Sequence, residues 1–333
     1  MPGNIDSAIS FLETQWSSIN ANKLKGISAE LRFEHHLNSA AIRPLYEYII
    51  PGGWILSPGR NTVINPPTQG RIAILPIPTP FSWTDHLPDI AFAAQVLAES
   101  YFRQTGIKTY FARFETFGNV QTEAGFQIPQ PGNYHTSYAL DFYKTGPNGL
   151  SYVAMATVMS AFTPRTGNRG MSAHATGRID RTTVVWADTL IVTNLFWKEY
   201  AYYYLKRQFS VSAADLDFFI VGNSGKAYPI EFKSKTTVTD AISGDWFGID
   251  INPFAKLSFF VSLSNNMEAL FFIEEVDNNG NTIEWWGVRF SVVLKNCYWV
   301  PQPGGRAMGG GGSSTIKIPK VIFSTLVNLL PTL

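Results

Sequence analysis

The stretch Ala214-Asp215-Leu216-Asp217-Phe218-Phe219-Ile220-Val221-Gly222-Asn223-Ser224-Gly225-Lys226-Ala227-Tyr228-Pro229-Ile230-Glu231-Phe232-Lys233-Ser234-Lys235 decides the reading of this chain. Two runs rich in β-favouring residues flank a Gly/Asn/Ser turn, the pattern of a β-hairpin. Glu231 and Lys233 are two apart, so on a strand their side chains share a face. A loop over residues 222–226 sets Asp217 directly opposite Glu231. Opposed β-carbons in such a pair lie about 4.5–5.5 Å apart. Leu216, Phe218, Phe219, Ile230 and Phe232 put apolar side chains on both faces, as in an interior sheet.

That arrangement creates an electrostatic problem. Two carboxylates so close among apolar neighbours repel, and one is driven to take a proton unless a cation intervenes. A hard divalent cation resolves the repulsion. Magnesium binds through one or two carboxylates and keeps its remaining positions for water and phosphate oxygens. A lysine beside it can steady a phosphate or orient water. The bland alternative is an exposed strand face with a cross-strand ion pair, worth about 1 kcal/mol or less. Three charges on one face of a buried sheet ask for more than that.

Asp217 followed by Glu231-Phe232-Lys233 resembles the signature of the PD-(D/E)XK nuclease superfamily, which includes type II restriction endonucleases and Holliday-junction resolvases. The resemblance spans residues 190–300. It implies that Asp217 and Glu231 hold Mg2+, with Lys233 as the third catalytic residue. It also implies adjacent strands of a central mixed sheet, followed by a helix and a further strand. The residues after Lys235 suit that order, with a helical segment near 253–263 and a strand over 267–276. Leu216 stands where the family often has proline. Some members add a glutamate from a helix before the core. Glu199, in Phe196-Trp197-Lys198-Glu199-Tyr200, and Glu30, in Lys25-Gly26-Ile27-Ser28-Ala29-Glu30, are both candidates, and the sequence leaves the choice open.

Outward from the hairpin, residues 6–49 read as mostly helical, because Ile27, Leu31, Phe33 and Leu37, then Ile42, Leu45 and Ile49, recur at near-helical spacing. Residues 52–56 and 71–75 read as strands between Pro- and Gly-rich turns. A helix follows over 89–103, then strands over 109–126 and 136–160. Residues 163–181 carry Arg165, Arg169, Arg178 and Arg181 with three glycines and one acid. They are expected to form an exposed loop in which these arginines neutralise phosphates or pair with guanine; a solvated loop without a ligand is the equal alternative. A helix is expected over 190–207. The expected organisation is a β-rich, mixed elaboration over 1–185, a nuclease core over 186–300, a Gly-rich loop over 301–315 and a C-terminal segment over 316–333 that returns to the body. The fold class is α/β (α+β), with a restriction-endonuclease-like core whose central mixed sheet is flanked by helices.

One internal similarity stands out. Leu140-Asp141-Phe142, Gly146, Gly149 and Tyr152 align without gaps on Leu216-Asp217-Phe218, Gly222, Gly225 and Tyr228. The positions matching Glu231 and Lys233 are Met155 and Thr157, so the first copy lacks the chemistry. Convergence of two hairpins explains this better than duplication.

Composition bounds the rest. The formal net charge is +1, so any basic surface for nucleic acid must be local. Charged residues are 15% and aromatics 14% of the chain, which excludes a disordered chain. Cys297 is the single cysteine, so no intrachain disulfide forms, consistent with a cytoplasmic protein. No signal peptide and no membrane helix are expected. Walker loops, dinucleotide fingerprints, serine-hydrolase elbows and zinc-finger spacings are missing from the sequence.

Together these point to a type II restriction endonuclease that hydrolyses phosphodiester bonds in double-stranded DNA with Mg2+. A palindromic site implies a homodimer, and such a system implies a cognate DNA methyltransferase. The alternatives are a structure-selective repair or recombination nuclease, and a non-enzymatic β-rich protein that binds through aromatic platforms.

Overall fold

A computed structural model describes residues 21–58, 71–76, 90–116, 138–146, 149–165, 198–199, 201–202, 204–206, 208–262, 267–302 and 314–333. The chain is mixed α/β, with three β-sheets among the described residues. It divides into two compact units: Met1–His35 with Ile50–Leu216, and His36–Ile49 with Asp217–Leu333. The boundary falls at Leu216/Asp217, inside the stretch quoted above. Among the described residues no helix is long and apolar enough to cross a membrane.

The strands in chain order are β1 (Tyr48–Pro51), β2 (Trp54–Pro58), β3 (Ile72–Pro76), β4 (Lys108–Thr116), β5 (Tyr138–Gly146), β6 (Gly149–Val153) and β7 (Val211–Asp215). They continue as β8 (Phe218–Val221), β9 (Ala227–Lys235), β10 (Val238–Asp240), β11 (Gly244–Asp250), β12 (Leu270–Val276), β13 (Thr282–Arg289), β14 (Tyr298–Gln302), β15 (Thr315–Pro319) and β16 (Ser324–Thr325). The helices are α1 (Ala21–Leu37), α2 (Ile90–Gln104), α3 (Met155–Val158), α4 (Ile251–Ser262), α5 (Phe290–Asn296) and α6 (Leu326–Leu329).

The first unit is built on a six-stranded sheet of order β6-β5-β4-β3-β2-β7. Only β3 and β4 run parallel, and α2 lies between them in sequence, as a parallel connection requires. Ile27 and Leu31 of α1 join Trp54, Leu56, Ile72, Ile74, Leu140 and Phe142 in its core. Residues 198–199, 201–202 and 204–206 are helical, and Ala201 and Leu205 complete that core.

The second unit holds a six-stranded mixed sheet of order β1-β8-β9-β12-β13-β16. The quoted hairpin forms its β8–β9 pair. All four residues of β8 are buried, as are Tyr228–Phe232 of β9 and Leu270–Glu275 of β12. β9 is antiparallel to β8 and parallel to β12, and α4 lies between β9 and β12 in sequence. Each fully buried Phe of this sheet, Phe219, Phe271 and Phe272 among them, contributes about 1.5–3 kcal/mol from apolar burial. A four-stranded antiparallel sheet, β10-β11-β15-β14, belongs to the same unit. Phe247 and Ile249 of β11, Ile316 and Ile318 of β15, Phe254 and Leu257 of α4 and Phe290 and Val293 of α5 share a core with Phe271 and Ile273 of β12.

Three local expectations are corrected. The helix does not run to residue 49: α1 stops at Leu37, a 3-10 turn follows at Arg43–Leu45, and Ile49 lies in β1. Pro44 lies at the start of that 3-10 turn, where its missing N–H leaves no hydrogen bond unmade. The strand expected to run to 160 ends at Val153 and the chain turns into α3. Residues 246–250 form part of β11, in a second sheet that the sequence reading did not foresee. The Gly-rich residues 303–313 lie outside the described residues, and residues 316–333 end in β15, β16 and α6.

Candidate active site

The β8–β9 register pairs Phe218 with Ile230, Phe219 with Pro229, Ile220 with Tyr228 and Val221 with Ala227. Continued by one residue, that ladder sets Asp217 opposite Glu231, as the turn length requires. Asp217 lies just ahead of β8, and its Oδ2 accepts a hydrogen bond from the Phe232 backbone N–H at 2.7 Å. The turn is fixed from outside: a β-carbon on Gly222 would come within 2.6 Å of the Leu333 main-chain carbon, and Ser224 N–H donates to Leu333 O at 3.2 Å. Gly225 has φ +73°, a conformation open to glycine at no steric cost.

Asp217 and Glu231 are each 2% exposed. A buried carboxylate must be paired, and Glu231 is paired twice. Its Oε1 lies 2.6 Å from Lys233 Nζ, and its Oε2 accepts from Lys256 Nζ on α4. The Lys233 side chain is 31% exposed and that of Lys256 10%. Lys235, next on the same face of β9, has its ammonium pKa lowered by burial. Asp250 and Glu231 pull it back up, and Lys233 pushes it further down. The group is therefore a compact set of charges on a strand covered by strands on both sides.

Lys256 is the residue the sequence reading missed. The signal was available: it is the one charged side chain in Ile251-Asn252-Pro253-Phe254-Ala255-Lys256-Leu257-Ser258-Phe259-Phe260-Val261-Ser262. A lone lysine beside the buried Phe254, Leu257 and Phe260 needs an anion.

The donor set can be tested against magnesium. Two opposed hard carboxylates match the one or two that magnesium takes from a protein, the remaining positions being left for water and phosphate. Among the described residues no group of three or more His, Cys, Asp or Glu side chains could enclose an ion. The residues thus fit a partial, open site rather than a closed cage. A metal on Glu231 must share that carboxylate with its two lysines.

The other expected residues fall as follows. Glu30 and Glu199 both lie in the first unit. Glu30 Oε2 is 3.7 Å from Lys198 Nζ, and Glu199, next to that lysine, is 1% exposed. Trp54 Nε1 donates to the Lys198 carbonyl at 2.8 Å and stacks on Tyr202. Arg165 lies outside any helix or strand, and its backbone N–H donates to Gln208 O and its Nε to Phe209 O, both at 2.8 Å. Arg169, Arg178 and Arg181 lie outside the described residues. His36 stacks on Trp285 at 4.6 Å, an aromatic packing role. Burial pushes the Cys297 thiol pKa up, which makes it a poor nucleophile.

On the same sheet, Glu275 sits beside Lys235 in the β9–β12 register. It accepts from Thr237 Oγ1, from Trp286 Nε1 at 2.7 Å and from Lys320 Nζ at 2.6 Å. Burial raises its pKa, but these hydrogen bonds outweigh burial and hold the carboxyl below its ordinary value. Comparison with protein families, curated proteins and solved structures finds no match for the chain.

Proposed function

We propose that the chain is a magnesium-dependent endodeoxyribonuclease of the type II restriction class, a hydrolase of phosphodiester bonds in double-stranded DNA. The observation that carries this reading is the burial of Asp217, just ahead of β8, and Glu231 of β9, which the β8–β9 register sets opposite each other when continued by one residue, with Lys233 on Glu231. The order β8, β9, α4, β12, with β9 and β12 parallel, supports a restriction-endonuclease-like core. Asp217 and Glu231 would hold the metal. When bound, magnesium supplies charge neutralisation at the phosphate and a more acidic water. Lys233, the more exposed lysine, orients the attacking water or steadies the scissile phosphate. Arg169, Arg178 and Arg181 are the proposed DNA contacts, with Arg165 anchoring the start of that segment. A homodimer matches a palindromic target, a cognate methyltransferase protects host sites, and the cytoplasm is the compartment.

Incubation of the purified protein with mixed-sequence DNA and magnesium tests the proposal. Cutting is expected, with loss on chelation and in Glu231→Ala and Lys233→Ala. Intact DNA, or normal cutting by both variants, would overturn it. Discrete plasmid fragments separate a restriction enzyme from a structure-selective nuclease, which prefers branched DNA. A second reading, a purely structural ion cluster, is favoured by the engagement of both Glu231 oxygens by lysines. Under that reading, loss of Glu231 lowers stability and there is no DNA cleavage to lose.

A further inference from the structure

We propose that Lys256 is a built-in counter-cation that a divalent metal must displace from Glu231, so that metal entry and release of Lys256 are one event. The inference rests on the metal-dependent reading above and names a residue which that reading does not use.

Three observations carry it. First, each Glu231 oxygen already has a lysine, Lys233 on Oε1 and Lys256 on Oε2. A metal taking either oxygen directly must weaken one of those pairs. Second, the charges are already matched: Asp217, Glu231 and Asp250 bring negatives, and Lys233, Lys235 and Lys256 bring positives. A divalent ion adds two positive charges to a site in which Asp217 and Glu231 are each 2% exposed, where like charges are poorly screened. One lysine has to leave, or an anion has to arrive. Third, the two lysines are held differently. Lys233 comes from β9, the strand of Glu231 itself, and is already 31% exposed, so its ammonium is the better hydrated of the two. Lys256 reaches in from α4 and is 10% exposed. Its ammonium meets Glu231 Oε2, and its flexible four-carbon stem lets it swing away from that oxygen.

The consequence is that Lys256 weakens metal binding in the absence of DNA. It also becomes available to a phosphate once a metal has taken its place. DNA and metal then bind cooperatively, because the phosphate supplies the negative charge that the displaced ammonium needs.

Isothermal titration of magnesium into the full chain without DNA tests this. Lys256→Met removes the competing cation, and its affinity for magnesium is expected to rise about ten-fold or more over the wild type. Lys256→Arg keeps the charge and is expected to bind as weakly as the wild type. Lys256→Gln keeps a hydrogen-bond donor without the charge. It is expected to follow Lys256→Met and serves where the methionine variant does not fold. Equal or weaker binding in both neutral variants, with wild-type binding that still depends on Glu231, would overturn this inference and leave the nuclease reading standing. Magnesium binding in no variant, or binding indifferent to Glu231→Gln, would overturn both.

Discussion

The β5–β6 and β8–β9 hairpins begin from nearly the same sequence and end differently. Leu140-Asp141-Phe142 and Leu216-Asp217-Phe218 each lead into a glycine turn and a returning strand. In the first, Gly146 pairs with Gly149, and β6 stops at Val153. In the second, Val221 pairs with Ala227, and β9 continues to Lys235. Among the described residues β6 is the edge of its sheet, whereas β9 is hydrogen-bonded on both sides, by β8 and β12. An edge strand has one partner to hold it extended. The positions that align with Glu231 and Lys233 therefore fall in α3 as Met155 and Thr157. The different pairing registers favour convergence over duplication. An aspartate before a Phe in a hairpin is commonplace; chemistry needs the returning strand to be long, central and charged.

The largest way to break this comparison is in activity. Glu231→Gln is expected to lower DNA cleavage by about 10²–10⁴-fold, the range for removing a catalytic group. Asp141→Asn, in the look-alike hairpin, should leave it within two-fold. Equal losses at both positions would mean that the two hairpins matter only for folding. A smaller effect appears in stability. Phe219, fully buried in β8, should cost about 3–5 kcal/mol on change to Ala. Tyr152, 61% exposed on β6, should cost under about 1 kcal/mol, both read from chemical denaturation.

The turn gives a third contrast. Gly222→Ala forces a β-carbon against the Leu333 main chain and should destabilise by about 1–3 kcal/mol, measured as a lowered denaturation midpoint. The smallest effect is in pH. The Glu275 carboxyl is held below its ordinary value, so the folded state binds fewer protons there than the unfolded state. Its contribution is fully present above about pH 4.3 and is lost as pH falls through the lower folded value. The stability gap between wild type and Glu275→Gln should therefore narrow on acidification. A gap that widens below pH 4 would reverse the assigned sign.

The hairpin was legible because its information is local: alternation, turn residues and a register that the loop length fixes. The burial of both its faces followed from the apolar residues on either side of each strand. Lys256 stood out in the sequence as the one charge of an apolar helix, but its partner did not, because Glu231 lies 25 residues earlier on β9. The second sheet was missed for a similar reason, since β11 pairs with β15, far along the chain. The break after Leu37 was missed because the apolar spacing on either side of it runs on as in a continuous helix. The hydrogen bonds of Arg165 were not foreseen because its partners, Gln208 and Phe209, are backbone carbonyls more than forty residues away.

The central claim is that opposed carboxylates on a buried hairpin cut DNA. The most direct measurement is a digest of DNA of known sequence, with magnesium, by the wild type and by Asp217→Asn. The account predicts discrete fragments whose ends map to one short sequence, and none from the variant. Uncut DNA with the wild type, or the same fragments at the same rate from Asp217→Asn, would contradict it.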